Sequence, residues 1–444
     1  MKLSVIAQKT QGQLFGQDLD VCQFSTDTRT LKAGDVFIAL SGANFDANTF
    51  VAKAQELGAV AAIVTQYQPD VPLSQIVVGN TQTALGLIAK AWREQFELMR
   101  VAMTGSSGKT TTKELTASIF RQAGLTLATL GNKNNEIGVP LTLLRLTAEY
   151  HYGVFELGAN HIGEIAYTSG LVQPHAAVIT NIGTAHLEGF GSRQGIAKAK
   201  GEIFGGLVEG GTAVINADDE FADYHRTLCD GKKILNFSIA KPADIYATDI
   251  KRSKGGAYQF VLHIAEQSTP IQLGLIGQHN VANALAASCL AVACGLNISQ
   301  IKQGLEQAQS AAGRMVLHRL PHFTLIDDTY NANPDAMKAA IDELALCEGY
   351  KIVVLGAMGE LGDDAASLHQ QVGAYAQSKQ IDALYCVGAF SEHTAQGYGV
   401  KAQRFSEQKE LIAALLAAIP QGATILVKGS RSARMENVVQ ALLA

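Results

Sequence analysis

Short apolar runs and stretches at helical spacing alternate along the chain. The first 80 residues contain the runs VFIAL, AVAAIV and QIVVG. Between the first two, Phe50, Ala54 and Leu57 recur on one helical face, and Gly58 is placed to stop that helix. This order predicts a small βαβ-type unit. Residues 81–96, TQTALGLIAKAWREQF, are predicted to form a helix that connects this unit to the next one.

A longer alternation of strands and helices begins at residue 101. Its strand candidates are RVAMTG, YGVFEL, AAVITNIG and TAVINA. In TTTKELTASIFRQAG, residues Leu115, Ile119 and Phe120 share one helical face, and Gly124 ends the pattern. The alternation predicts a mostly parallel sheet that is covered on both faces. Residues 243–276 alternate apolar and polar positions around KGG, which predicts an appended antiparallel hairpin before the helix NVANALAASCLAVACG.

A third series begins near Arg314. Its predicted strands are FTLIDD, KIVVLGAMG, ALYCVG and ATILVKGS, and its predicted helices are AMKAAIDELALC and QKELIAALLAAI. The chain is therefore predicted to be an α/β protein of three units, which comprise residues 1–80, 81–313 and 314–444.

Composition and charge exclude several classes of protein. Of the 444 residues, 47% are hydrophobic and 17% charged, which is typical of a well-buried globular chain. The net charge is −5 and no Lys/Arg run stands out, so we expect no nucleic-acid partner. The six cysteines form no CxxC pair, which favours reduced thiols in a cytosolic protein. No signal peptide begins the chain and no apolar run approaches the roughly 18 residues that cross a bilayer, so we expect a cytoplasmic protein with no membrane partner.

A glycine-rich loop, TGSSGKTT at residues 104–111, lies between a predicted strand and a predicted helix. Its backbone N–H groups can cradle phosphates, and the helix N-terminus adds the positive end of its dipole. Lys109 is expected to neutralise the β- and γ-phosphates, and the Thr110 hydroxyl to ligate Mg²⁺. Met103 stands where the general pattern GxxxxGK(S/T) has its first Gly, so a glycine turn that caps a helix is the alternative. We favour binding of a nucleoside triphosphate.

Other ionisable residues come directly after the neighbouring strands. Glu156 ends the strand YGVFEL, and a carboxylate at that end of a strand beside a phosphate loop is placed to ligate Mg²⁺. A Glu that faces water is the alternative, and the phosphate loop favours the metal role. His186 comes after AAVITNIG in the same topological position. Lys198 and Lys200 lie two apart on a predicted helix and so face different sides. Taken alone, His186 and both lysines are better explained as structural or solvated.

Several segments together resemble the Mur ligases, the amide-forming enzymes of peptidoglycan precursor synthesis. The loop TGSSGKTTTKE, with Met103 before it, is similar to the ATP loop of that family. The further segments cover nearly the whole chain in the family's order: STDTRTLKAGDVFIAL, GNKNNEIGVPLTLLRL, ELGANHIGEI, TAHLEGFGS, AKAKGEIF, GQHNVANALAA, DDTYNANP, GAMGELG and VKGSRSARME.

The resemblance implies a fold and an activity. The fold is a small α/β N-terminal domain, a central phosphate-loop ATPase domain with a parallel sheet, and a Rossmann-like C-terminal domain. The activity is ATP-dependent ligation through an acyl phosphate, most closely that of the members that join D-alanyl-D-alanine to a UDP-N-acetylmuramoyl (UDP-MurNAc) tripeptide. ATP, two Mg²⁺ ions and these two small-molecule substrates are the expected ligands. We expect a monomer, and the third residue of the peptide stays open.

The resemblance also implies residue roles. For ATP they are Gly105, Ser106, Ser107, Gly108, Lys109, Thr110, Thr111, Asn280, Asn283, Arg314 and Asp328. For metal they are Thr110, Glu156, His186 and Lys200, and with Lys109 the last three are the expected catalytic residues. Lys200 is implied to be carbamylated by CO₂, which requires an amine with a pKa below its usual value of about 10.4. For substrates they are Ser25, Thr26, Asp27, Thr28, Arg29, Asn134, Asn135, Tyr330, Asn331, Lys428, Ser430 and Arg431.

Ordinary structural roles remain as alternatives for several of these residues. Asn280 also suits the N-cap of the helix after it, and an Asn-rich loop such as GNKNNEIGVP is also an ordinary turn. Asp328 also suits turn chemistry. The loop of Lys428 could hold the carboxylate of a dipeptide or be a solvated basic loop. Two departures from the family pattern fall in the first unit: FDANTF at residues 45–50 replaces an FDGH-like string, and Asn80 stands where Asp is common.

Two other activities are alternatives to this one. The first is that of a related Mur or folylpolyglutamate-type amino-acid ligase. The STDTR segment favours a UDP-linked acceptor, and the third unit has no DNPR-like string, which argues against the enzyme that adds diaminopimelate or lysine. The second is that of a phosphate-loop ATPase that regulates a partner, which would hydrolyse ATP without an acid or an amine.

Overall fold

The computed structural model describes residues 1–42, 45–185 and 187–444. These residues form three large sheets that succeed one another along the chain, each packed against helices. The α/β class is therefore confirmed. None of the helices in the described ranges combines the length and the hydropathy that a bilayer crossing requires. All six cysteines lie in these ranges and are free thiols.

The first sheet has the strand order β1-β7-β6-β3-β2, in which β1 is antiparallel to β7 and the other pairs are parallel. β4 and β5 form a separate antiparallel pair. The predicted βαβ unit is confirmed, because VFIAL, AVAAIV and QIVVG coincide with β3, β6 and most of β7. The elements are α1 (Leu3–Thr10), β1 (Gln13–Phe15), β2 (Phe24–Ser25), β3 (Val36–Ile38), β4 (Ser41–Gly42), β5 (Phe45–Asp46), a 3₁₀ turn (Ala47–Phe50), α2 (Val51–Glu56), β6 (Ala61–Val64), β7 (Ser74–Val77) and α3 (Thr81–Arg93).

Helix α3 joins the first sheet to the rest of the chain. Its Asn80 N-cap accepts a hydrogen bond from the Thr83 N–H at 2.8 Å, a role that Asp fills equally well. Trp92 packs edge-on against Phe24 of β2, with ring centroids 5.7 Å apart. Its indole N–H donates to the Leu146 carbonyl oxygen of the second unit at 3.1 Å. The predicted connecting helix is therefore confirmed.

The second sheet has the order β16-β15-β14-β13-β12-β11-β8-β10-β9. It is parallel from β9 to β14 and antiparallel across β14, β15 and β16. The elements are β8 (Met99–Thr104), α4 (Lys109–Arg121), β9 (Thr126–Ala128), α5 (Gly138–Leu143), β10 (Tyr152–Glu156), α6 (Glu164–Val172), β11 (Ala176–Ile179), α7 (Leu187–Phe190), α8 (Arg193–Gly201), a 3₁₀ turn (Glu202–Gly206), β12 (Thr212–Asn216), α9 (Ala222–Thr227), β13 (Lys233–Ser238), β14 (Ile245–Arg252), β15 (Ala257–Ile264), β16 (Gln267–Ile276), α10 (His279–Ala293) and α11 (Ile298–Gln307).

Burial on both faces explains why the central strands are almost continuously apolar. In β8, Val101 and Met103 face one hydrophobic cluster, whereas Ala102 faces the other. In β10, Val154 and Phe155 divide between the same two clusters. The predicted parallel sheet and the appended hairpin, β14 with β15, are both confirmed. The structure adds β9, β13 and β16, which were not predicted.

The third sheet has the order β17-β18-β22-β19-β20-β21, in which only the β17–β18 pairing is antiparallel among the described residues. The predicted strands correspond to β18, β19, β20 and β22, whereas β17 and β21 were not predicted. The elements are β17 (Val316–Arg319), β18 (Phe323–Asp328), α12 (Pro334–Ala345), β19 (Lys351–Leu355), a 3₁₀ turn (Gly362–Asp364), α13 (Ala365–Ser378), β20 (Ala383–Val387), α14 (Ser391–Tyr398), β21 (Ala402–Phe405), α15 (Gln408–Ala418), β22 (Ala423–Lys428), a 3₁₀ turn (Arg431–Ala433) and α16 (Glu436–Leu443).

Candidate active site

The glycine-rich loop connects β8 to α4, as the sequence predicts. Gly105 and Gly108 have φ angles of +151° and +79°, which L-residues with side chains rarely adopt. A Cβ atom on Gly105 would collide with the Thr180 side chain, and one on Gly108 with the Asn283 side chain. Both positions therefore require glycine, and α4 starts at Lys109 with its N-terminus open to an anion.

Residues directly after β11 hold this loop from one side. The Thr180 hydroxyl donates to the Ser107 carbonyl oxygen at 2.6 Å. The Asn181 side chain accepts from the Ser107 N–H at 3.0 Å, and the Asn181 carbonyl accepts from the Ser106 N–H at 3.0 Å. The Ser106 hydroxyl in turn accepts from the Gly183 N–H at 2.9 Å. Both amides are thus bonded to Asn181 in this structure, and contact of Ser106 and Ser107 with a phosphate stays a prediction.

Lys109 lies at the centre of the charged groups of the site. Its ammonium donates to the Gly105 carbonyl oxygen at 2.8 Å. Burial lowers the pKa of Lys109 from its ordinary value, while the nearby charge of Glu156 acts in the opposite direction. The charge of Arg314 from the third unit lowers it further. The phosphate loop thus carries a cation that faces both a carboxylate and a second cation.

Glu156 ends β10 and pairs in register with Met103 of β8. Its side chain is buried, with a relative exposure of 2%. Oε1 accepts from the Asn134 amide at 2.8 Å, whereas Oε2 is buried with no hydrogen-bond donor among the described residues. A buried carboxylate is costly unless it is paired or binds a metal, so Oε2 fits a divalent cation. The described residues contain no cluster of three or more His, Cys, Asp or Glu that could bind a metal by themselves.

The two lysines of α8 face different sides, as predicted. Lys198 is exposed, whereas Lys200 is buried with a relative exposure of 1%. Burial and then the charge of Lys109 lower the pKa of Lys200 well below its ordinary value. The Lys200 ammonium lies 5.8 Å from the centre of the Phe190 ring. The expected neighbour His186 lies outside the described residues.

Two asparagines of α10, Asn280 and Asn283, lie behind the phosphate loop and support it. The helix begins at His279, so Asn280 lies inside its first turn and the alternative N-cap role is wrong. Its amide donates to the Ile276 carbonyl oxygen at 2.7 Å. Asn283 donates to the Asn280 side chain at 2.8 Å and accepts from the Thr112 hydroxyl at 3.3 Å. These amides support the loop in the structure, and their contact with a nucleotide base stays a prediction.

The third unit reaches the phosphate loop through Arg314. Its Nη2 donates to the Thr110 hydroxyl oxygen at 3.1 Å, and its guanidinium lies 4.1 Å from the centre of the Tyr330 ring. Arg314 thus lies at the glycine-rich loop, and its contact with ATP stays a prediction. The same contact places a cation on the hydroxyl that is expected to ligate Mg²⁺.

Asp328 and Lys428 form a buried ion pair between neighbouring strands. They are register partners on β18 and β22, and Lys428 Nζ lies 2.6 Å from Asp328 Oδ2. Nζ also donates to the Asn331 carbonyl oxygen at 2.9 Å, and Asp328 Oδ1 accepts from the Met315 N–H at 3.2 Å. Contacts of Asp328 with a ribose and of Lys428 with a dipeptide stay predictions. These polar groups already bind each other.

The remaining substrate-binding candidates of the third unit differ in their exposure to solvent. Ser430 is buried, and its hydroxyl lies 3.0 Å from the Ser432 hydroxyl. Arg431 is 68% exposed and lies 3.1 Å from Glu436. The Asn331 side chain accepts from the Ala332 N–H at 2.9 Å and stays exposed. Arg431 and Asn331 are the better placed of this group to contact a substrate.

Two polar loops carry the other substrate candidates. The Arg29 guanidinium forms an exposed pair with Asp27 at 2.6 Å and lowers the pKa of Asp27 to about 2. Ser25 is buried and its hydroxyl accepts from the Asp27 N–H at 3.3 Å, which shapes the loop that also holds Thr26 and Thr28. In the other loop, the Asn135 side chain accepts from the Gly138 N–H at the start of α5 at 2.9 Å. Contacts of these loops with substrate stay predictions.

Thr180 and Asn181 are the functional-site residues that sequence reasoning missed. Both belong to the predicted strand segment AAVITNIG. Since β11 lies beside β8 in the sheet, residues just after β11 necessarily meet the phosphate loop at the same edge. The position of these residues after a predicted strand was a usable signal, but the adjacency of the two strands is not visible in the local sequence.

Two protein families match the chain by sequence. These are the Mur ligase middle domain over residues 103–291 and the glutamate ligase domain of Mur ligases over residues 313–431.

Full-length relatives carry a specific name. The chain is 45% identical to the UDP-N-acetylmuramoyl-tripeptide–D-alanyl-D-alanine ligase of Escherichia coli (strain K12), over 99% of this chain and 98% of that protein. It is 41% identical to the Haemophilus influenzae protein of the same name, over 100% and 98%.

Solved structures of two proteins named MurF are also similar to this chain over almost its full length. MurF from Acinetobacter baumannii superposes with a TM-score of 0.95 at 40% identity, covering 99% of this chain and 98% of that chain. The MurF ligase from Thermotoga maritima in complex with ADP has a TM-score of 0.86 at 27% identity, covering 96% and 98%. A Mycobacterium tuberculosis folylpolyglutamate synthase, at 15% identity and a TM-score of 0.65 over 81% of this chain and 94% of that chain, shares the fold. With its phosphate loop, its three sheets and these full-length relatives, the chain belongs to the Mur ligase family.

Proposed function

We propose that the chain joins D-alanyl-D-alanine to UDP-N-acetylmuramoyl tripeptide at the expense of ATP, and so makes the UDP-muramoyl pentapeptide for peptidoglycan. The observation that carries this proposal is the meeting of two units at the phosphate loop, where Arg314 lies 3.1 Å from Thr110 and beside Lys109. A triphosphate at that loop would lie between the second unit, which binds it, and the third. Relatives named for this reaction, at 41–45% identity over almost their full length, support it.

We assign one substrate to each unit. The uridine nucleotide belongs to residues 1–80 with the loop of Ser25 to Arg29, ATP belongs to residues 81–313, and the amine belongs to residues 314–444. Within the last unit, the accessible Asn331 and Arg431 are the groups we assign to the dipeptide. Arg431 suits its carboxylate, because a guanidinium presents paired donors in a planar fork.

The chemistry takes two substitutions. In the first, an oxygen of the tripeptide carboxylate attacks the γ-phosphorus, the bond to the bridging oxygen breaks, and ADP leaves. In the second, the amine nitrogen attacks the acyl carbon, the C–O bond to phosphate breaks, and the nitrogen gives a proton to solvent. Lys109 opposes the charge that develops on the transferred phosphoryl group. Closure of the third unit over the loop keeps water from the acyl phosphate.

Metal binding is part of the proposal. Glu156 Oε2 and the Thr110 hydroxyl would hold one Mg²⁺, and His186 with Lys200 would hold a second. The buried, unpaired oxygen of Glu156 supports the first site. When bound, Mg²⁺ supplies countercharge for the phosphate oxygens.

Lys200 is proposed to act as a carbamate. Its neutral amine adds to CO₂, a nitrogen–carbon bond forms, one proton is released, and the product is an anionic ligand. Burial and the neighbouring Lys109 favour the neutral amine that this addition requires.

The carbamate has two tests. With ¹³C-labelled bicarbonate, the protein should show a carbamate carbon signal that Lys200→Ala removes and Lys198→Ala, on the exposed side of the same helix, retains. Lys200→Ala should also lose activity and regain part of it with short-chain carboxylic acids. Wild-type protein without the signal, or a fully active Lys200→Ala variant, would contradict the carbamate.

The main test of function is a substrate-omission assay. Mass spectrometry should find the pentapeptide product only when ATP, the tripeptide acid and the dipeptide amine are all present. Sustained phosphate release should also need both the acid and the amine. Lys109→Ala should abolish turnover without loss of fold. An equal rate of phosphate release with and without the acid and the amine would support a regulatory ATPase. Formation of a product from a folate or a single amino acid would support another ligase.

A further inference from the structure

One carboxylate of the third unit reaches into the second. Asp335 lies in the first turn of α12, and its Oδ2 accepts hydrogen bonds from both the N–H and the hydroxyl of Thr184, each at 2.9 Å. Thr184 lies in the loop between β11 and α7, 151 positions earlier in the sequence. Gly183 permits this approach, because a Cβ atom there would lie 2.6 Å from Asp335 Oδ2.

The loop that Asp335 binds is also the loop that holds the phosphate site. The Gly183 N–H donates to the Ser106 hydroxyl at 2.9 Å, and Asn181, two positions earlier, binds the Ser106 and Ser107 amides. Hydrogen bonds at Thr184 and Gly183, which are neighbours in the backbone, therefore connect α12 of the third unit to the loop proposed to bind ATP. A shift of α12 away from the second unit would break that connection at Asp335.

The ordinary explanation for Asp335 is stabilisation of its own helix. A carboxylate in the first turn favours a helix through the dipole, whatever else it touches. That role does not require Thr184, and the cap of α12 is already provided by Asn333, which accepts from the Ala336 N–H at 2.8 Å. A role confined to stabilising the helix predicts no effect of Thr184 substitutions on the reaction, so the two explanations can be separated.

We propose that Asp335 is a positioning residue for ligation: through Thr184 it holds the third unit against the phosphate loop while the acyl phosphate awaits the amine. This inference rests on the proposed function, since it assigns a role within that reaction. The consequence is specific. Loss of the contact should weaken use of the dipeptide and admit water, so that acyl phosphate is hydrolysed and phosphate is released without amide.

The experiment compares Asp335→Asn, Thr184→Ala and the double variant. The matched control is Asp342→Asn, which makes the same charge change on the same helix but affects a carboxylate bound to Lys379 and Tyr375 within the third unit. Phosphate and pentapeptide are measured separately at saturating ATP and tripeptide while D-alanyl-D-alanine is varied. We expect the KM for the dipeptide to rise about threefold in Asp335→Asn, because the contact is exposed and the Asn oxygen can still accept from Thr184 without the charge.

Two further readouts separate coupling from stability. The ratio of phosphate to pentapeptide should rise in Asp335→Asn and in Thr184→Ala, and the double variant should be no worse than Asp335→Asn. The control should keep the wild-type ratio. Thr184→Ala does not alter α12 and removes the hydroxyl bond to Asp335, so it tests that half of the contact even where Asp335→Asn folds poorly.

Hydrogen exchange provides a measurement that is independent of turnover. The Thr184 amide should exchange faster in Asp335→Asn than in Asp342→Asn. Wild-type ratios in both single variants, or unchanged exchange at Thr184, would overturn the inference. If wild-type protein makes no pentapeptide, the proposed function fails, and exchange at Thr184 still decides whether the contact holds the loop.

Discussion

Replacing Lys428 with Met should destabilise the third unit strongly. Lys428 is 3% exposed and its partner Asp328 11% exposed, with their charged atoms 2.6 Å apart. Removing one partner of a buried ion pair typically costs about 3–5 kcal/mol, because the other charge is left buried and unpaired. A count of hydrogen bonds agrees: Nζ donates to Asp328 Oδ2 and to the Asn331 carbonyl oxygen, and charged donors contribute about 1.5–3 kcal/mol each.

The assay must report on the third unit itself. The single tryptophan, Trp92, lies in α3, so its fluorescence does not follow the unfolding of β18 and β22. Hydrogen exchange of the amides of those two strands in urea is the suitable measurement. With a denaturant slope of about 2 kcal/mol per molar urea, a loss of about 4 kcal/mol lowers their midpoint by about 2 M.

Two further variants decide the interpretation. Asp328→Asn with Lys428→Met removes both charges and should restore much of the stability, since neutral replacements of buried pairs are often tolerated. Arg431→Met removes a 68% exposed cation from the same region and should change stability by less than about 0.5 kcal/mol. If Lys428→Met keeps wild-type stability and only raises the KM for the dipeptide, the ion pair is not structural and the substrate role predicted from sequence is right.

Two other results are expected. Gly108→Ala should lower affinity for a fluorescent ATP analogue by about tenfold or more, because its φ is +79° and its Cβ would collide with Asn283. The control Gly170→Ala should bind the analogue normally, because a Cβ there meets no atom within 4 Å. Equal affinities of the two variants would contradict this prediction. An NMR titration should give Asp27 a pKa of about 2, and Arg29→Ala should return it toward 3.8. Because folding depresses this pKa, the pair stabilises the fold above about pH 4 and loses that contribution as the pH falls toward 2; an unchanged pKa in Arg29→Ala would refute the assignment.

The fold was predictable wherever strands are buried on both faces. β8, β10, β11 and β12 are buried at almost every position and apolar at their centres, so they stand out from their surroundings. The strands that were missed give weaker patterns. β21, AQRF, exposes its two central residues at the edge of the third sheet, and β9 is three residues long at the edge of the second. Such strands are fixed by pairing with a neighbour, which local sequence does not encode.

The site residues likewise fall into those that local sequence indicates and those that depend on contacts between distant segments. Lys109, Glu156 and Lys200 could be proposed because motif and strand position indicate them. The pairing of Asp328 with Lys428 could not, since it depends on β18 and β22 being adjacent although 100 residues separate the two side chains. Similarly, Asp335 gives no local signal beyond its place at the start of a helix. Its partner Thr184 is defined only by how two units meet.

The charged groups near the carboxyl ends of the strands are of two kinds: some form buried pairs within one unit, and others form accessible contacts between two units. The first kind suits a fixed structure and the second a movable interface. Asp328 and Lys428 are buried and bind each other within one unit, so separating them would leave charges away from water. Asp335 is exposed, and Arg314 is half-buried; each makes its contact across the interface to the second unit. Water can replace such contacts at low cost, so they can form and break during each turnover. A reaction that must admit two substrates and then shield an acyl phosphate needs this combination, in which the strands stay fixed and the interface opens.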